Sequence, residues 1–112
     1  VLPRVTPRTV ATRTQLMEVL AEVRSRGYSL ESEESTPGVC CIGGAVMGPD
    51  GPLGLSITVP VQRASVDELG HFLPDLNEAL ERIHEVASAR HWFGAATGTL
   101  RAEFHGDGAV NQ

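Results

Sequence analysis

The feature that most constrains this chain is a pair of apolar runs hinged on a loop of turn formers. Residues 39–47 (Val-Cys-Cys-Ile-Gly-Gly-Ala-Val-Met) make one continuous run of apolar and small side chains, of strand length. Gly48-Pro49-Asp50-Gly51-Pro52 follows, a loop rich in residues that favour turns. Residues 53–61 then alternate, with Leu53, Leu55, Ile57 and Val59 set against Gly54, Ser56 and Thr58. A period of two belongs to a strand with one buried face, and two such runs across a short loop predict an antiparallel hairpin.

Helical periodicity flanks the hairpin. Thr12 with Gln15 forms a capping-box pattern, and Leu16, Val19, Leu20 and Val23 fall on one stripe, which predicts a helix over 13–26 closed by Gly27. Residues 1–11, with Pro3 and Thr6-Pro7, read as an irregular lead-in. Residues 28–33 alternate as a short strand leading into the acidic cluster Glu31, Glu33 and Glu34, and Thr36-Pro37-Gly38 is a turn. Ser65 with Glu68 makes a second capping box before Leu69, Phe72, Leu73, Leu76, Leu80, Ile83 and Ala87, which keep helical register and predict a helix over 66–93 ended by Gly94. Pro74 has no N–H for the Gly70 carbonyl, so a kink or break is expected there. Residues 95–112 are Gly-rich, with a strand-like patch at 99–104. The order helix, strand, strand, strand, helix predicts an α+β layer, an antiparallel sheet flanked by helices.

Composition excludes several classes of function. The formal charge is −5, lysine is absent and the arginines are scattered, so this chain has no basic stripe with which to grip a phosphate backbone. No apolar run nears the roughly 20 residues of a membrane span. Val1-Leu2-Pro3-Arg4 lacks the apolar core of a signal peptide, so a cytoplasmic location is expected. Cys40 and Cys41 are neighbours whose side chains point to opposite faces of a strand. They are too few for a zinc site and are expected as free thiols. His84 and His91 stand about 10 Å apart along a helix axis, and His71 and His105 have no partner at ligand spacing, so neither metal nor cofactor is expected.

The informative pattern is a face of small residues. Gly54, Ser56 and Thr58 share one side of the last strand, and Cys41, Gly43 and Ala45 share one side of the strand before it. If the two sides coincide, the sheet carries a patch of compact and hydroxylated side chains, which suits a small polar ligand. Hydroxyls suit a carboxylate in particular, because they donate to it without a second charge to desolvate. Small residues also let a helix pack closely, and composition alone favours that reading.

Several elements, in order, resemble a known family: Thr6-Pro7-Arg8-Thr9-Val10, Leu16 and Leu20, Arg24-Ser25-Arg26-Gly27-Tyr28, Glu33-Glu34, Gly38-Val39-Cys40-Cys41-Ile42-Gly43, and Leu55-Ser56-Ile57-Thr58 with Pro60 and Arg63. Together they are similar to the effector-binding domain of IclR-type bacterial transcription regulators, over about residues 2–94. The resemblance implies a GAF/PAS-like, profilin-like fold lacking its upstream part here, so that 1–94 is the C-terminal part of such a domain and 95–112 an extension. It implies a domain that senses a small organic acid or aromatic metabolite, forms a homo-oligomer, and acts on DNA through an N-terminal winged helix absent from this chain. Carried over by position, it gives ligand-binding roles to Glu31, Cys41, Ser56 and Thr58. Ser56 and Thr58 would donate to a ligand carboxylate or carbonyl, Cys41 would be a compact wall, and Glu31 would accept from a ligand hydroxyl or cap a strand-end amide. The family usually has Asp near position 31, so the longer Glu31 would reshape that end of the site. Two other classes are weighed beside it. One is a cysteine-dependent GAF-fold reductase using Cys41, which lacks the helix N-terminus or base that activates a thiol. The other is a dimerisation module without ligand, anchored by Arg90-His91-Trp92-Phe93.

Overall fold

The computed structural model of the chain describes residues 2–90. Its elements, in order, are α1 (Arg13–Arg26), β1 (Ser29–Ser32), β2 (Val39–Gly48), β3 (Gly51–Pro60), a 3-10 segment (Val66–Phe72) and α2 (Leu73–Arg90). The strands form one antiparallel sheet in the order β1-β2-β3.

The first helix has the expected bounds and the expected caps. Thr12 Oγ1 accepts from the Gln15 N–H at 3.2 Å, and Gly27, at φ 90°, closes the helix with an N–H bond to the Val23 carbonyl at 2.8 Å. Its apolar stripe does not enter the core, however: no α1 residue is buried, and Leu20 is 40% exposed. Thr6 ties the lead-in down instead, its hydroxyl donating to the Glu33 carbonyl and Thr9 Oγ1 donating to the Glu34 carbonyl.

The hairpin extends further toward its tip than the sequence suggests. Gly48 pairs with Gly51, so the expected five-residue loop shrinks to the turn Pro49-Asp50. Gly51, at φ 133°, lets the chain reverse in so short a space. One face of the sheet carries the core, where Cys40, Ile42, Leu69, Leu76 and Leu80 are buried and Leu30, Leu55, Ile57 and Val59 pack around them. Gly44 marks the closest approach of α2: a Cβ there would lie 2.6 Å from Leu80 Cδ1.

The long helix expected over 66–93 is two elements. Residues 66–72 are 3-10, and the α-helix begins at Leu73. Pro74 explains the break, because in a first turn its missing N–H costs nothing, whereas inside a helix it would clash with the Gly70 carbonyl. Glu68 accepts from both the backbone N–H and the hydroxyl of Ser65 at 3.1 Å, the capping read from the sequence. The expected helix end at 93–94, the strand-like patch at 99–104 and the Trp92-Phe93 anchor lie outside the described residues.

Candidate functional site

Register decides whether the small faces meet. Cys41 pairs with Thr58, Gly43 with Ser56 and Ala45 with Gly54, while Glu31 pairs with Cys41 and Ser29 with Gly43. Directly paired residues share a face, so two rows cross the three strands, Glu31–Cys41–Thr58 and Ser29–Gly43–Ser56. Cys40, Ile42, Leu55, Ile57 and Val59 go to the opposite, apolar face. The four residues singled out in the sequence therefore stand together. Ser29 joins them and was missed, although its alternation with Glu31 already set both on one side of β1.

The face is compact and open. A Cβ on Gly43 would lie 2.8 Å from Ser29 Oγ and 3.6 Å from Ser56 Cβ, so glycine is what lets the two serines flank the middle of the sheet. Glu31 and Cys41 are half-buried, whereas Ser56 and Thr58 are exposed. A concavity of about 340 Å³ lies elsewhere, between the lead-in and α1, lined in part by Arg4, Arg8, Glu18 and Glu22. These charged groups are exposed, so water and salt screen what they could offer a ligand.

Two contacts organise the polar face. Cys41 Sγ lies 3.1 Å from Thr58 Oγ1, and Glu31 Oε2 accepts from the Glu34 N–H at 3.0 Å. Burial pushes the Cys41 thiol up from its ordinary value, the Thr58 hydroxyl works against this, and the Glu31 carboxylate raises the thiol further. A protonated Cys41 can donate to Thr58 Oγ1, which leaves the Thr58 hydroxyl proton to point outward. Thiolate chemistry needs the opposite shift. Burial also raises Glu34, followed by the charge of Glu31, with a Ser32 backbone bond acting the other way. Cys40 is a core thiol that bonds the Ala64 carbonyl at 3.4 Å. His84 Nδ1 lies 2.7 Å from the Met47 carbonyl, which ties α2 to the hairpin near its tip. Among the described residues, no three His, Cys, Asp or Glu side chains converge as metal ligands would. No described helix is long and apolar enough to cross a membrane.

An antiparallel sheet closed by helices on its apolar face, with small polar groups across the other, defines an α+β domain that presents one sheet face. The chain belongs to the family described as Bacterial transcriptional regulator IclR C-terminal, which matches residues 1–85. It is 37% identical over 76 residues to the HTH-type transcriptional regulator XynR of Escherichia coli, a match covering 66% of this chain and 30% of that protein. The crystal structure of the C-terminal domain of the E. coli regulator KdgR is similar at a TM-score of 0.64 and 33% identity, over 75% of this chain and 52% of that one. A double mutant of the PobR inducer-binding domain from Acinetobacter, in complex with 3-hydroxybenzoic acid, is similar at a TM-score of 0.66 and 28% identity, over 74% of this chain and 51% of that one. The chain spans at most 31% of the curated relatives it matches.

Proposed function

We propose that this chain is part of the small-molecule sensing domain of a bacterial transcription regulator, and that its polar sheet face takes a small organic acid. The observation that carries this reading is the register, which sets Glu31, Cys41 and Thr58 in one row and Ser29, Gly43 and Ser56 in the next. Hydroxyls of Ser56 and Thr58 donate to the ligand carboxylate, and the Glu31 carboxylate accepts from a ligand hydroxyl. Glu31 repels a second negative charge, so the face selects a monocarboxylate that also carries a hydroxyl. The complex of the PobR domain with 3-hydroxybenzoic acid supports this chemistry by analogy. DNA binding then belongs to an N-terminal winged helix outside this chain, in a regulator that assembles as a homo-oligomer and that ligand binding controls.

Calorimetric titration of the chain with 3-hydroxybenzoate and with benzoate tests the reading. The hydroxylated acid is expected to bind more tightly, and Ser56→Ala is expected to weaken it by about 1.5–3 kcal/mol, the worth of a hydrogen bond to a charged group. Equal binding of both acids, or none across a panel of small carboxylates, counts against it.

A further inference from the structure

The acidic turn after β1 joins the polar sheet face to the lead-in. Glu31 lies on that face, paired with Cys41, yet its Oε2 accepts the Glu34 N–H at 3.0 Å. The turn between them is clamped. Glu33 sits at φ 57°, the one described non-glycine residue with positive φ, and a residue with a side chain holds that conformation only where its surroundings impose it. Here the Glu33 N–H donates to the Val39 carbonyl at 2.9 Å, and the Glu33 carboxylate accepts the Gly38 N–H at 3.0 Å. The carbonyls of Glu33 and Glu34 are held from the lead-in, the first by the Thr6 hydroxyl and the second by that of Thr9. The same two hydroxyls accept the lead-in's own amides, Thr6 Oγ1 from Arg8 at 3.1 Å and Thr9 Oγ1 from Thr6 at 2.8 Å. Thr6 is buried, where such bonds are stronger than in water.

We propose that this turn carries ligand occupancy from the polar face to the lead-in, with Glu31 as the link. The inference rests on the reading of that face as a site for a hydroxylated monocarboxylate. The Glu34 N–H takes one acceptor site of the Glu31 carboxylate, which has about four over its two oxygens, so a ligand hydroxyl is held at the same time. Ligand and Glu34 amide then fix one side chain between them. A fixed Glu31 holds the Glu34 amide more firmly and keeps Glu33 from relaxing to negative φ. The Glu33 and Glu34 carbonyls stay within reach of Thr6 and Thr9. Glu33 thereby supplies the two states that coupling between sites needs: the turn clamped with the lead-in fastened, or the turn relaxed with the lead-in released. Such coupling is reciprocal, so fastening the lead-in also favours the ligand.

Amide exchange of the isotope-labelled 112-residue chain, with and without saturating 3-hydroxybenzoate, tests the proposal. Exchange is expected to slow about fivefold or more at Glu34, Thr6 and Arg8. Benzoate, which has no hydroxyl for Glu31, should leave these amides unchanged, and so should 3-hydroxybenzoate in Glu31→Ala. Thr9→Val breaks the far end of the relay without touching the sheet face. It should weaken 3-hydroxybenzoate about fivefold or more by calorimetry and leave benzoate unaffected. If circular dichroism finds Glu31→Ala misfolded, Thr9→Val decides. Chemical shifts at Ser56 and Thr58 without slower exchange at Thr6 and Arg8 overturn the relay and leave the reading of the polar face standing. Equal protection by benzoate, or protection that persists in Glu31→Ala, overturns the relay too. No shift at Ser56 and Thr58 with either acid overturns the reading of the face and the relay together.

Discussion

At Cys41 the neighbours act in opposite directions: burial and Glu31 raise the thiol, and Thr58 lowers it. Glu31→Gln removes the repulsive carboxylate, so the alkylation midpoint of Cys41 is expected to fall toward the ordinary thiol value. An unchanged or higher midpoint in a pH series with iodoacetamide would mean that Glu31 does not act on the thiol. Glu34 gives the stability counterpart. Its carboxyl is raised in the folded chain, so the folded state holds this proton more tightly than the unfolded state does. That contribution to stability therefore declines as pH rises from the ordinary carboxylate value through the raised one. Glu34→Gln should abolish the decline, leaving the variant the more stable protein at neutral pH, as read by urea unfolding from about pH 4 to about pH 7. Gly44 tests packing on the other face. Gly44→Ala sets a methyl 2.6 Å from Leu80 Cδ1, and the overpacking is expected to cost about 1–3 kcal/mol.

Among the elements, α1 has caps at both ends yet contributes no buried residue. Local signals hold it more than tertiary contacts do. Thr12→Ala, worth about 0.5–2 kcal/mol to a helix, should speed amide exchange throughout Arg13–Arg26 while leaving exchange in β2 little changed. A matching acceleration in β2 would show that α1 is coupled to the core. The same helix marks what was legible in the sequence. Its ends were, because Thr12 and Gly27 act within one turn of themselves; the fate of its stripe was not, because Leu16 and Val19 pattern alike whether or not a partner covers them. The hairpin was legible for a similar reason. Its alternation set the faces, although the tip was read too wide because Gly48 and Gly51 look like loop and act as strand. The rows Glu31–Cys41–Thr58 and Ser29–Gly43–Ser56 needed pairing across strands, which no spacing along the chain specifies. Openness of that face was hidden as well, since small side chains suit a cavity and a surface equally.

For the molecule as a whole, charge and register lead to separate expectations. A net charge of −5 without lysine predicts no sequence-dependent DNA binding by this chain alone, and a gel shift at physiological salt with submicromolar, sequence-dependent affinity would contradict that. The central claim is that the polar sheet face takes a small hydroxylated monocarboxylate. Titration of the isotope-labelled chain with 3-hydroxybenzoate, followed by amide chemical shifts, tests it most directly. The account expects saturable shifts concentrated at Ser29, Glu31, Cys41, Gly43, Ser56 and Thr58, lost in Ser56→Leu while the spectrum stays that of a folded protein. Shifts centred on the cleft between Arg4, Arg8 and Glu18, or shifts at the polar face that survive Ser56→Leu, would contradict it.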